Sequence, residues 1–242
     1  MDYDIKIKAF KAIDNVPLCE EYSKHYEIVL ASYGINSAAM SDTGWHTNPN
    51  IYVITAEDRK KKKIIGGTRI ELKSSIHPLP IEEAIGKEDP RIFNFIELSE
   101  GRKTGEICRL WNLRDISGSG LSSIILLSSM AEVGIVVAEQ LELTSLIELC
   151  SPWTVNMFKK MGFTCLTDVG KQGTFVYPRP GLEATVMYLN DIKKLKSAAK
   201  TEKEEIMSLR TNPKQVRTKQ GIMKNLKIEY DLLIESEQEY EI

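Results

Sequence analysis

The 242-residue chain carries 32 basic and 34 acidic side chains, a net charge of -2, with 42% hydrophobic and 27% charged residues. These are the proportions of an ordinary globular protein of one large or two small domains, and they lack the global positive field that holds a nucleic-acid backbone. Cys19, Cys108, Cys150 and Cys165 are scattered without metal-ligand spacing and read as reduced, buried thiols; with an N-terminus, MDYDIKIKAF, that has no apolar signal core, they lead to the expectation of a cytoplasmic protein.

Along the chain, Asp4 to Phe10 alternates apolar and polar residues and predicts a strand. Val16 to Tyr33 predicts a helix with the stripe Leu18, Tyr22, Tyr26, Val29 and Leu30, stopped by Gly34. A polar loop follows to Asn50. Ile51 to Ala56 and Ile64 to Leu72 form a predicted hairpin whose turn holds the solvated run Lys60 to Lys63. His77 to Phe95, with Pro78, Pro80 and Pro90 around a short helical piece Ile81 to Ile85, reads as a surface excursion of the kind that covers a substrate. Glu106 to Leu113, Leu121 to Gln140 and Leu143 to Cys150 are strand, long helix and strand, a right-handed parallel crossover. The longest apolar run, Ile124 to Ala138, is interrupted by serines, Glu132 and Gly134, and reads as too short and too polar to span a bilayer. Pro152 suits the first turn of a next helix, closed by Gly162-Phe163. Thr164 to Val169 and Ala184 to Leu189 add two strands. After Asp191 the composition becomes lysine-rich, then acidic, so residues 1–190 read as the body and 191–242 as a charged, helix-prone extension, broken near Asn212-Pro213 and Gly221 and packed on the body or a partner. No internal repeat is visible.

The stretch that speaks of chemistry begins at Gly105. An apolar strand, the turn Gly118-Ser119-Gly120 and the helix start Leu121-Ser122 together make a place for phosphate. Unpaired N–H groups and the helix dipole favour an anion there, and glycines let the backbone approach it. Ser117 and Ser119 read as phosphate ligands or helix caps rather than nucleophiles. Glu106 opens an otherwise apolar strand. Buried, with a raised pKa, it would accept a proton from an ammonium acceptor; alternatively it forms a structural ion pair with Arg69 or Arg109. Glu106 and Arg109 are three apart, so a regular strand points them to opposite faces, which a bulge beside an active site would change. Arg69 and Arg109 have the fork geometry to hold the carboxylate of an amino-acid-like acceptor, and Trp45 lies in a plausible acceptor-side loop. His25, His46 and His77 show no ligand spacing, so no metal is expected. Cys108 lacks the placed histidine that thiol catalysis needs.

The order of elements from about Asp4 to Asn190 resembles the GNAT superfamily of acyltransferases. Gly118-Ser119-Gly120-Leu121-Ser122-Ser123 is similar to that family's Gly-x-Gly-Ile-Gly-Ser turn, and Asn156-Met157-Phe158-Lys159-Lys160-Met161-Gly162-Phe163 to its later Tyr-Glu-Lys-x-Gly-Phe signature. The resemblance implies an α/β (α+β) fold with a mixed, mostly antiparallel sheet flanked by helices, here with a helical C-terminal extension. It implies acetyl-CoA or a longer acyl-CoA as donor, held by Gly118, Ser119, Gly120, Leu121, Ser122 and Ser151. Backbone N–H groups near Trp111, Asn112 and Leu113 would polarise the thioester carbonyl. Three positions depart from the family pattern: Asp115 (after Arg114) where Gln or Arg is usual, Phe158 in place of the tyrosine acid, and Ser151 in place of an Asn.

Gly66-Gly67-Thr68-Arg69-Ile70 and Glu106-Ile107-Cys108-Arg109-Leu110 resemble the Gly-x-x-Arg-Leu and Glu-x-Ser-Arg-Phe landmarks of one branch, the acyl-homoserine-lactone and N-acyl amino acid synthases. That branch takes acyl chains from acyl carrier protein or acyl-CoA and needs no tyrosine at the Phe158 position. The expectation is therefore an N-acyltransferase acting on a small-molecule amine or amino-acid-like acceptor, without nucleic acid or membrane. The alternatives are a synthase of the long-chain type and a non-catalytic domain of the same fold.

Overall fold

The computed structural model describes residues 3–35, 44–97, 102–113, 121–221 and 225–234. Arg114, Asp115 and the Ser117–Gly120 turn lie outside these residues. A single sheet organises the chain. Its strands are β1 (Tyr3–Lys11), β2 (Ile51–Asp58), β3 (Lys63–Leu72), β4 (Thr104–Asn112), β5 (Ser145–Cys150), β6 (Thr164–Cys165), β7 (Thr174–Val176), β8 (Glu183–Leu189), β9 (Lys214–Lys219) and β10 (Leu226–Asp231). Their spatial order is β6-β8-β5-β4-β3-β2-β1-β10-β9, with β7 also on β8. Only β4–β5 and β1–β10 pair in parallel; the other ladders are antiparallel.

The helices are α1 (Val16–Ser32), α2 (Pro80–Ile85), α3 (Phe93–Ile96), α4 (Leu121–Gln140), α5 (Val155–Lys160) and α6 (Lys200–Thr211). The Asn15 side chain caps α1 by accepting the Leu18 N–H at 3.2 Å, and Gly34, at φ +67°, ends it. The long helix α4 lies across β2, β3 and β4. Gly134 permits the close approach, since a Cβ there would sit 3.2 Å from both Ile70 and Ile107. By length and composition, Ser123–Gln140 matches a membrane-crossing helix, with mean hydropathy 1.4, which corrects the expectation of too short and too polar a run; 67% of it is buried inside this protein. The run is apolar because it forms the core beneath the sheet.

The excursion from His77 is less superficial than its prolines suggest. Leu79, Ile81, Ile85, Ile92 and Ile96 are buried against Ile147, Val186 and Tyr188 of the sheet, making a second core. Asp89 pins it down by accepting the Gly170 N–H at 2.7 Å and pairing with Arg91. The strand expected over Thr164 to Val169 shortens to two residues, because Val169 turns inward to that second core.

Among the described residues beyond Asp191 only α6 is helical. Past Asn212-Pro213 the expected helix is a hairpin, β9–β10, and β10 pairs in parallel with β1. Leu226, Ile228 and Tyr230 alternate into the core, which a helix over the same residues would not achieve. A partly buried ion-pair chain fastens this extension. Lys219 Nζ meets Glu132 of α4 at 2.7 Å and Glu205 of α6 at 3.7 Å, and Arg217 meets Glu205 at 2.6 Å.

Candidate active site

Two departures from regular pairing on β4 build the site. The first lies on the β3 side. Gly67 is opposite Trp111 but Arg69 is opposite Cys108, so β4 carries one extra residue there. Arg109 takes it up in the left-handed region, at φ +53°. A non-glycine residue pays about 1–2 kcal/mol for that conformation, so neighbours must hold it. Tyr22 of α1 donates its hydroxyl to the Arg109 carbonyl at 2.9 Å, and Thr68 donates to the Cys108 carbonyl at 2.9 Å. The Tyr22 ring reaches this point because position 67 is glycine: a Cβ would overlap the ring and stand 2.8 Å from the Ile54 carbonyl oxygen.

The second departure lies on the β5 side. β4 and β5 pair only through Thr104–Glu106 and Ser145–Ile147. Beyond that point they part, although β4 stays paired to β3 as far as Asn112 and β5 to β8 as far as Cys150. The Leu113 N–H is committed to the Ile65 carbonyl at 2.8 Å, which removes it as a donor to a thioester. By the alternation of an antiparallel ladder, the Asn112 peptide group faces away from β3, toward the opening. The Asn112 side chain is fixed by hydrogen bonds to Ser123 at 2.8 and 3.1 Å.

Arg69, Glu71, Glu106 and Cys108 occupy facing positions on β3 and β4 and are all buried. Glu106 is 2% exposed, and one of its oxygens accepts the Ile81 N–H of α2 at 2.8 Å. Burial lifts its pKa well above the ordinary carboxylate value, with Glu71 adding to the effect. The ion pair foreseen for Glu106 forms elsewhere: Arg69 pairs with Glu71, which also accepts the Cys108 thiol at 3.1 Å. Burial opposes the Arg69 charge, but Glu71 together with Cys108 and Tyr22 more than offsets it and holds the guanidinium charged. Burial and then Glu71 push the Cys108 thiol up, which keeps it from acting as a nucleophile.

Trp45, at the start of a short 3-10 turn (Trp45–Thr47), roofs this cluster. The Arg69 guanidinium lies 4.4 Å from its ring centre, and its indole N–H donates to Ser23 at 3.0 Å. Tyr22 contacts Trp45 and Trp111 edge-on, at 5.9 and 5.5 Å between ring centres. Arg109, half-buried, lies 5.7 Å from the Tyr26 ring centre. Trp45, Arg69, Glu106, Arg109 and Trp111 thus share one neighbourhood. Ser151 is apart from it, exposed beyond the end of β5 and within 3.3 Å of Thr154. Leu121 and Ser122 occupy the first turn of α4. Phe158 is in the core, 5.0 Å from Phe163.

Three further residues enter this region without a sequence signal. Glu71 appears only as an alternation partner of Arg69. Tyr177, in the connection from β7 to β8, lies close enough to Tyr26, Arg109, Glu106 and Cys108 for their charges to act on it; burial pushes its phenol up to about 12. The same connection reaches α1, where Arg179 donates to the Tyr33 carbonyl at 3.2 Å. Glu148 of β5 is 5% exposed, and its Oε2 has no hydrogen-bond partner. Among the described residues no group of three or more His, Cys, Asp or Glu side chains is placed to hold a metal ion.

No family model matches this sequence, and no curated protein matches it. Solved structures do. FeeM, an N-acyl amino acid synthase from uncultured soil microbes, is similar with a TM-score of 0.59 at 13% identity, over 78% of this chain and 92% of that one. MesI, a CoA-dependent acyl-homoserine lactone synthase, is similar with a TM-score of 0.52 at 13% identity, over 85% and 95%. BjaI, another CoA-dependent acyl-homoserine lactone synthase, solved with SAM and isopentyl-CoA, gives 0.51 at 11% identity, over 86% and 90%. At these identities the likeness is one of fold: the chain has the GNAT-like fold, a mixed, mostly antiparallel sheet flanked by helices.

Proposed function

We propose that this chain is an N-acyltransferase that moves an acyl group from a CoA or carrier-protein thioester to an amine. The observation that carries the reading is the parting of β4 from β5 immediately beyond a buried, protonatable Glu106. The residues present fit a thioester arm: the strands offer backbone groups released from mutual pairing, and a buried oxygen of Glu148 beside them lacks a partner. The bound thioester supplies the activated acyl carbon.

The chain's own residues supply the rest. Only a free amine is nucleophilic, so an ammonium acceptor must first lose a proton. An ordinary carboxylate is too weak a base for this; burial of Glu106 narrows the gap. The Asn112 peptide N–H is oriented to donate to the reacting carbonyl. Arg109, whose charge acts on Tyr177, has the charge and fork to bind an acceptor carboxylate. Arg69, covered by Trp45 and held by Glu71, instead sets the field around Glu106. Tyr177, a weaker acid than a thiol, serves as a hydrogen-bond donor rather than a proton source for a thiolate.

A longer-chain, synthase-like reaction is favoured by one observation. Phe158 is packed in the core, so no tyrosine acid stands at that position, and the landmark residues Arg69, Glu106 and Arg109 lie together on β3 and β4. The test is amide formation from acyl-CoA and a panel of amino acids. Glu106→Gln, which retains an acceptor for Ile81, lowers the rate about 10²–10⁴-fold while acyl-CoA still binds. An unchanged rate removes Glu106 from the role of base. Donor binding without turnover by the unaltered protein points to a binding domain of the same fold.

A further inference from the structure

β5 carries a second buried acid that takes no part in the proton transfer above. Glu148 follows Ile147, the last residue of β5 paired with β4, so it stands where the two strands part. Leu146 and Cys150, two residues to either side on the same face, belong to the main core. The side chain is 5% exposed and its Oε2 is buried with no hydrogen-bond partner. Leaving such an atom unpaired is costly, and folds rarely retain the cost without a use for the group.

The chemistry of the group narrows what it binds. Burial, with Glu106 next in effect, raises the Glu148 pKa well above the ordinary value, and the Cys150 thiol acts in the opposite direction. The shift favours the protonated carboxylic acid, with one O–H donor and a carbonyl acceptor. A phosphate would gain little from a neutral acid and would be repelled by an ionised one. An amide is complementary to it in either direction, through its C=O or its N–H. The arm that carries acyl groups, on CoA and on carrier proteins alike, contains such amides.

We propose that Glu148 is a donor-binding residue whose Oε2 hydrogen-bonds an amide of the pantetheine arm lying between β4 and β5. This rests on the acyltransferase reading, and the two fail differently. The test is calorimetric titration of acetyl-CoA into the unaltered protein, Glu148→Gln and Glu148→Leu. The expected result is affinity kept within about 3-fold by Gln and weakened roughly 3- to 10-fold by Leu, the span of one neutral hydrogen bond. Difference infrared spectroscopy gives a second readout that does not depend on the Leu variant folding. Acetyl-CoA shifts a protonated-carboxyl band in the unaltered protein, and that band is missing from Glu148→Gln. Equal affinity of the Leu variant, or a Glu148 band that acetyl-CoA does not move, overturns the assignment while leaving the acyltransferase reading in place. Where acetyl-CoA does not bind, the same titration is run with longer acyl-CoAs and acyl-loaded carrier protein, and failure of the unaltered protein to bind any of them overturns both.

Discussion

Glu106→Gln tests the electrostatics of the site without any substrate. Glu106 is 2% exposed and burial raises its pKa well above its ordinary value of 4.5. The folded protein therefore holds a proton that the unfolded chain releases. For a group shifted upward, the stability contribution is fully present below the unfolded pKa and is lost as pH rises toward the folded one. Within that window one such group lowers unfolding free energy by at most about 1.4 kcal/mol per pH unit. Gln occupies the same space, accepts the Ile81 N–H in place of the carboxylate oxygen, and has no proton to lose. Urea denaturation between pH 5 and pH 8 therefore gives a stability difference, Gln variant minus unaltered protein, that grows with pH. Glu148 and Glu132 are shifted in the same direction, so the unaltered protein still loses stability as pH rises once Glu106 is removed. Only the difference between the two proteins isolates Glu106. A difference that stays flat with pH, or that shrinks as pH rises, refutes a proton held by Glu106.

Two further substitutions test how the site is supported. Lys219→Met leaves the buried Glu132 carboxylate (3% exposed) without its partner at 2.7 Å, and about 3–5 kcal/mol of stability is expected to be lost in denaturant unfolding; adding Glu132→Leu should recover most of it. Gly67→Ala forces a methyl into the Tyr22 ring and toward the Ile54 carbonyl, so stability should fall by about 1–3 kcal/mol, with a changed near-ultraviolet circular dichroism signal from the Tyr22–Trp111–Trp45 cluster.

Elements whose signal is local could be read from the sequence. The β2–β3 hairpin, α1 with its Gly34 stop, and the β4–α4–β5 crossover each announce themselves by periodicity and punctuation. What escaped depends on partners distant in the chain. The bulge at Arg109 has no composition of its own; it exists because a tyrosine 87 residues away and a threonine on the next strand clasp the backbone around it. The C-terminal hairpin looks like a lysine-rich helix until β1 offers Ile5 and Ile7 as partners for Ile228 and Tyr230. Likewise, Glu106 carried a signal as a charge at the head of an apolar strand. Its true hydrogen-bond partner, the Ile81 N–H, came from an excursion that sequence alone presented as surface. Glu148 and Tyr177 gave no signal, because a buried acid and a tyrosine beside a turn are ordinary until their neighbours are known.

The central claim is that the opening between β4 and β5 takes an acyl thioester. Its most direct test is a calorimetric titration of the purified protein with acyl-CoAs from acetyl to decanoyl, followed by acyl-loaded carrier protein. The account predicts saturable binding of at least one of these donors. A gain in affinity with each methylene, toward the roughly 0.8 kcal/mol of full burial, would mark the longer-chain reaction. No binding of any acyl-CoA or of any loaded carrier would contradict the account.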